Sequence, residues 1–254
     1  MNAHPEPPAA PNPPVSTDLV PGVSDFRRHV PNILTVLRIV LAAVFVVVLS
    51  RWRVDASPVV MGGGAARTES PPDTTLLLAM GVFVAAALTD ALDGFLARQW
   101  RVVSVFGRVM DPFADKVLVP GGFILLAGPA FTSRQFPNET FSCVEPWMAV
   151  VILARELLVT SLRAAVESRG VSFAATTSGK LKMVLQSLCV PAVLYIMARY
   201  DVRPDWGADS GNDGMVGAVP PARLLLILIV HLTVIVTAWS AVPYVVRAAR
   251  ALRK

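Results

Sequence analysis

The chain has 254 residues and a formal net charge of +5, with 54% of its residues hydrophobic and 16% charged, against roughly 25% charged in a soluble domain. That balance excludes an ordinary soluble domain and indicates a polytopic membrane protein, within a length that allows one or two domains. Two cysteines, Cys143 and Cys189, fall in different segments without metal-ligand spacing, which excludes a disulfide framework. Cys143 reads as a loop thiol and Cys189 as a small buried apolar residue.

Residues Met1 to about Asp25 are rich in Pro, Ala and Asn and offer too little apolar surface to offset chain entropy, so a disordered tail is expected. It has neither a basic n-region nor an apolar h-region, so it is not read as a signal peptide. Phe26-Arg27-Arg28-His29 is a basic lead-in suited to a membrane surface. A first span is expected over Pro31 to Ser50, near the roughly 20 residues that a bilayer requires. Asn32, Thr35 and Arg38 form one polar stripe on it; the plainer reading is a helix cap plus a snorkelling arginine.

The second expected span, Thr74 to Arg98, carries Asp90 and Asp93, three apart and therefore on one helix face. A polar hinge, Arg98-Gln99-Trp100-Arg101, lets the chain leave the bilayer and re-enter. The third span, Val105 to Ala130, carries Asp111 and Asp115, four apart, with Gly107 one turn earlier. Its Pro120-Gly121-Gly122 predicts a bend. Asp93 lies roughly 8 Å inside Arg98 at 1.5 Å rise per residue, so a helical hairpin brings all four carboxylates to one depth under one membrane surface. Ionised groups at such positions are costly, and four together require cations, which makes a divalent-metal site the natural reading. The plainer reading is that these acids cap helices or pair with Arg98, Arg101 and Arg108.

A fourth span follows from Pro146 to about Leu162 with Arg155 and Glu156 well inside it. Lys180 and Lys182 open a fifth that ends near Tyr200. Arg155, Arg163, Lys180 and Lys182 can gather on the aspartate side to receive a phosphorylated substrate; for the lysines, a positive-inside anchor is the plainer reading. The last span, Ala222 to Tyr244, is apolar apart from His231, Thr233, Thr237 and Ser240, and His231 reads as a packing residue. Six spans put both termini on one side. Of the 23 lysines and arginines, 14 fall on the aspartate side and 7 on the other, which turns the aspartates toward the cytoplasm of a plasma (inner) membrane. The basic balance then reflects anionic lipid and substrate rather than nucleic acid.

The spacing Asp90-x2-Asp93-Gly94-x2-Ala97-Arg98-x8-Gly107-x3-Asp111-x3-Asp115 resembles the signature of the CDP-alcohol phosphotransferases, integral membrane enzymes of phospholipid synthesis. The Pro31-Asn32-x-Leu34-Thr35-x2-Arg38 opening, with Arg155-Glu156, Arg163, Lys180, Lys182 and Gln186, is similar to the phosphatidylglycerophosphate synthase branch of that family. The resemblance implies a six-helix membrane domain over residues 26–254, a polar site near the cytoplasmic face, a homodimer, and magnesium or manganese held by Asp90, Asp93, Asp111 and Asp115. It further implies that Asp115 is the catalytic base and that Asp90, Gly94, Ala97, Arg98, Asn32 and Thr35 border the cytidine diphosphate site. The implied reaction transfers a phosphatidyl group from CDP-diacylglycerol to sn-glycerol 3-phosphate. Two alternatives stay open. One keeps the chemistry with another acceptor, inositol phosphate or phosphatidylglycerol; the other is a divalent-cation transporter, since acids inside spans line ion paths.

Overall fold

A computed structural model of the chain describes residues 25–53, 71–100, 105–132, 140–169, 177–200, 202 and 219–252. Among them are seven α-helices: α1 (Asp25–Arg51), α2 (Thr74–Trp100), α3 (Val105–Leu126), α4 (Pro146–Glu167), α5 (Thr177–Arg199), α6 (Pro221–Trp239) and α7 (Val242–Leu252). A 3-10 turn at Pro129–Phe131 follows α3, and an isolated bridge joins Thr132 to Thr140. The fold is all-α among the described residues. Four of its segments are long and apolar enough to cross a membrane: Ile33–Arg51, Thr74–Leu92, Gly179–Arg199 and Pro221–Ala251. The expected tail over residues 1–24 lies outside the described residues.

The first two helices each bury one stripe. On α1 the buried positions are Thr35, Arg38, Ala42, Phe45 and Leu49, while Ile33, Val36, Leu37, Val40, Val44 and Val47 are exposed. The alternating steps of three and four are those of one helix face, and the exposed apolar side chains form the surface that lipid can solvate. On α2 the stripe is Leu76, Ala79, Phe83 and Ala86, and the same steps lead next to Asp90 and then Asp93. The two stripes meet in one antiparallel register. Trp52 Nε1 donates to Asp73 Oδ2 at 2.7 Å, Phe45 meets Phe83 edge to face at 5.3 Å, and Arg38 pairs with Asp90 at 2.6 Å.

One end of the bundle is tied shut. Trp52, after α1, stacks on Phe131, after α3, with ring centroids 4.4 Å apart. Asp73 caps α2 by accepting from Thr75 N–H at 2.9 Å and Leu76 N–H at 3.2 Å through Oδ1. Its own N–H donates to Ala198 O at the end of α5. Ser142, before α4, donates to Leu126 O at 2.7 Å, and Arg223, at the start of α6, reaches Thr140 O and Val202 O. The C-termini of α1, α3 and α5 therefore sit with the N-termini of α2, α4 and α6, and the six helices alternate in direction. This order was not visible in the loop from Phe131 to Pro146, whose residues Phe141, Ser142, Cys143 and Val144 are buried. Cys143 has φ 55°, an uncommon backbone for a non-glycine residue, held by this packing.

The helices change character at one level. The apolar core takes residues from Ala42 onward in α1, up to Ala86 in α2, from Leu118 in α3, up to Ile152 in α4, from Cys189 in α5 and up to Val234 in α6. Toward the other end, the buried positions of α1, α5, α6 and the turn after α6 are polar: Thr35, Arg38, Lys182, Gln186, Thr237 and Ser240; α4 buries Arg155 there, with Val159 and Val166 beyond it.

Several boundaries differ from expectation. Helix α2 runs through Arg98 to Trp100, so the hinge begins later, and α3 stays helical through Pro120 before ending at Leu126 rather than Ala130. Helix α4 continues past Leu162 to Glu167. The last expected span divides. Ser240 N–H bonds Val236 O, Ala241 N–H turns back to Ala238 O, and α7 restarts at Val242 with Pro243 where no helical N–H is needed. His231 is tied by Nδ1 to Ile227 O at 2.8 Å within its own helix.

Candidate active site

Among the described side chains, the polar half of the bundle holds Thr35, Arg38, Asp90, Arg155 and Lys182. Asp90, at the end of the α2 stripe, is half-exposed, and its partner Arg38 is buried to 1%. The sequence allowed Arg38 to snorkel to the surface; instead it faces inward and neutralises a carboxylate, which an arginine at this depth requires. Continuing the antiparallel register by one turn sets the backbone of Asp93 level with that of Thr35, which is fully buried. Gly94, Ala97 and Arg98 follow on the last turns of α2. Gly107, Asp111 and Asp115 lie on α3 before Leu118, where the apolar core begins. The side chains of Asn32, Asp93, Gly94, Ala97, Arg98, Gly107, Asp111 and Asp115 lie outside the described residues, and so does the convergence of the four carboxylates.

A second polar cluster joins α4, α5, α6 and α7. Glu156 pairs with both Lys182 and Arg155. Arg155 Nε donates to Ser240 Oγ at 3.0 Å, and its guanidinium carbon lies 5.5 Å from the centre of the Tyr244 ring, within reach of a cation–π contact. Gln186 donates to Thr237 Oγ1 at 3.1 Å. Arg155 and Lys182 are 8% and 4% exposed, so these are desolvated cations rather than surface anchors. Arg155 Nη2 is buried without a hydrogen-bond partner among the described residues. A buried donor in that condition is costly and suits an anionic ligand.

The four cations expected to receive a phosphate are therefore placed differently. Arg155 and Lys182 share Glu156, Arg163 is half-buried, and Lys180 is exposed. Two residues apart on a helix, Lys180 and Lys182 cannot share a face. Sequence reasoning assigned no role to Glu156, Thr237, Ser240 or Tyr244. Their only signal was a polar or aromatic residue recurring near the ends of apolar helices.

The chain is similar in sequence to known proteins over most of its length. The family model described as CDP-alcohol phosphatidyltransferase matches residues 28–239. A CDP-diacylglycerol–glycerol-3-phosphate 3-phosphatidyltransferase of Bacillus subtilis (strain 168) is 33% identical over 166 residues, covering 65% of this chain and 76% of that protein. A probable phosphatidylglycerophosphate synthase of Mycobacterium tuberculosis (strain ATCC 25618 / H37Rv) is 35% identical over 165 residues, covering 64% of each. A CDP-diacylglycerol–glycerol-3-phosphate 3-phosphatidyltransferase of Haemophilus influenzae (strain ATCC 51907 / DSM 11121 / KW20 / Rd) is 27% identical over 220 residues, covering 86% of this chain and 92% of that protein. With a family model that takes in the aspartate motif, Arg155, Glu156 and Lys182, the chain belongs to the CDP-alcohol phosphatidyltransferase family.

Proposed function

We propose that the protein transfers the phosphatidyl group of CDP-diacylglycerol to sn-glycerol 3-phosphate, giving phosphatidylglycerol phosphate and CMP. The observation that carries this reading is the change from apolar to polar burial at one level of the bundle; the aspartate motif of the sequence supports it. A liponucleotide keeps its acyl chains in the bilayer while its diphosphate lies at headgroup depth, so a polar site opening sideways to lipid suits it. The acceptor of this reaction carries a phosphate, and the buried Arg155 and Lys182 match that charge.

In this reading six helices, α1 to α6, cross the plasma membrane of a homodimer, and the polar half faces the cytoplasm, as the excess of lysine and arginine favours. Asp90, Asp93, Asp111 and Asp115 would hold magnesium or manganese. The donor set suits a hard cation, being carboxylate oxygen throughout, and Arg38 pins Asp90 through one oxygen. When bound, such an ion supplies charge neutralisation of the diphosphate and of the departing nucleotide phosphate. Gly94 and Ala97 leave room for the nucleotide beside α2, Arg98 contacts phosphate, and Asn32 and Thr35 border the same site. Asp115 accepts the proton of the acceptor hydroxyl as that oxygen attacks the β-phosphorus of the donor. The P–O bond to the CMP leaving group then breaks. Arg155 and Lys182, with Arg163 and Lys180 at the approach, orient the acceptor.

The test is CMP release by the purified protein with CDP-diacylglycerol, magnesium and a panel of acceptors, beside Asp115→Asn. Turnover with glycerol 3-phosphate, lost by about 10²-fold or more in the variant, supports the reading. Turnover restricted to inositol phosphate or phosphatidylglycerol overturns the acceptor. Absence of turnover with any acceptor, with cation flux into proteoliposomes, overturns the enzyme.

A further inference from the structure

Helix α7 has three faces. Tyr244, Ala248 and Ala251 follow one another by four and three residues. Tyr244 and Ala248 are 3% and 1% exposed, and α7 packs against α4. Val242, Val245, Val246 and Ala249 form a second stripe at the spacing of a helix face, and its three valines are exposed. Arg247 and Arg250 are exposed between these stripes. The sequence contains no Asp or Glu after Asp213, and its last eight residues hold Arg247, Arg250, Arg253 and Lys254. The helix begins directly after α6 ends, at the polar end of the bundle, where the chain leaves the apolar layer.

An exposed apolar stripe beside arginines is the pattern of a helix lying in the membrane interface, with the valines at the acyl boundary and the guanidinium groups among phosphates. Basic residues there gain from anionic headgroups. Neither argument singles out a soluble polyanion, which would leave the three valines in water.

The bundle side of α7 touches the polar cluster. The Tyr244 ring lies 5.5 Å from the Arg155 guanidinium carbon, and Ser240, in the turn that joins α6 to α7, accepts from Arg155 Nε at 3.0 Å. Arg155 in turn pairs with Glu156, the partner of Lys182. The geometry points to α7 as an anionic-lipid docking helix that, by seating in the interface, positions Arg155 for the acceptor phosphate. The coupling half of this inference rests on the function proposed above; the lipid docking half does not.

The experiment uses the full chain in vesicles of phosphatidylcholine alone or with a rising fraction of phosphatidylserine. Acceptor and donor KM are measured for the wild type and for Arg247→Gln/Arg250→Gln. A spin label on Val245→Cys reports depth by its accessibility to oxygen and to a water-soluble nickel complex. Phosphatidylserine is expected to lower the wild-type acceptor KM about three- to tenfold, leave the donor KM unchanged and move the label into the oxygen-accessible layer. The double variant should keep the phosphatidylcholine KM whatever the lipid, and its label should not move. Inorganic phosphate added to phosphatidylcholine vesicles should not reproduce the effect. A label indifferent to phosphatidylserine, a double variant that responds like the wild type, or acceptor and donor KM shifting together overturns the inference. If the wild type shows no turnover with glycerol 3-phosphate in any lipid, the proposed function fails, and the label still decides whether α7 docks on anionic lipid.

Discussion

The pairing of Glu156 with Lys182 makes a quantitative prediction, because both groups are removed from water. Their side chains are 18% and 4% exposed. For such a pair, loss of one partner strands a charge at a cost of about 3–5 kcal/mol, whereas replacement of both by apolar groups is nearly neutral. Glu156→Gln leaves Lys182 with a weaker partner and Arg155 with Ser240 and Tyr244. Lys182→Met leaves Glu156 with Arg155 alone, at 3.5 Å. Glutamine still offers Lys182 an acceptor, and Arg155 stays beside Glu156 when Lys182 is changed, so the lower end of the range applies, about 3 kcal/mol for each single change. The matched double change Glu156→Gln/Lys182→Met, which strands neither charge of the pair, should cost less than either single one, a coupling of about 3 kcal/mol or more. In a chain of this size 1 kcal/mol shifts Tm by about 2–4 °C, so each single variant should melt about 6–12 °C lower. Cys143 and Cys189 are both buried, so the reaction of a thiol dye during heating in detergent reports unfolding, with all variants compared at one scan rate. Costs that simply add would show that the two groups do not act as a pair, and the account of the polar cluster would fall with them. Activity should be low in all three variants, which separates stability from acceptor binding.

The closed end makes a separate prediction: Asp73→Ala removes two cap bonds and strands Trp52 Nε1, so it should cost about 2–4 kcal/mol without changing the KM of either substrate; an unchanged Tm rejects that role. Helix α3 offers an internal contrast. A Cβ at Gly122 would stand 3.2 Å from Val190 Cγ1, whereas one at Gly121 meets nothing within 4 Å. Gly121→Ala should raise stability by up to about 1 kcal/mol, while Gly122→Leu should lower it by about 1–3 kcal/mol; thermal unfolding with the signs reversed would place α3 wrongly against α5. Arg38→Gln frees Asp90 of its counter-ion and should raise the donor KM by about tenfold, equivalent to about 1.4 kcal/mol, with acceptor KM unchanged. Equal effects on both substrates would argue against a site divided between the α1–α2 corner and the α4–α5 cluster.

The aspartate motif was legible because carboxylates inside apolar runs have few purposes. The stripe of Thr35 and Arg38 was legible because a helix repeats its face every three or four residues. The partner of Arg38 was not. Any inward-facing acid on a neighbouring helix would have satisfied it, and only the antiparallel register that sets Phe45 on Phe83 brings it to Asp90. Ser142 bonds Leu126, sixteen residues earlier, and Arg223 bonds Thr140, 83 residues earlier. Such contacts leave no periodic trace, so the segment from Phe131 to Pro146 read as an uninformative loop. The division of the last helix at Ser240 was hidden by apolar residues on both sides of it.

Composition and periodicity alone determined that the described residues are helical with segments long and apolar enough to cross a membrane, where their apolar faces lie, and which acids and bases fall inside apolar runs, because these are local consequences of side-chain transfer and helix geometry. Tertiary structure alone decided which buried charges meet. It joined Glu156 to Lys182 and Arg155, turned Lys180 outward, and set Tyr244 of α7 against Arg155. The physical reason is that a desolvated charge takes its partner from whatever packing brings within about 4 Å, and packing between helices is settled by the whole chain.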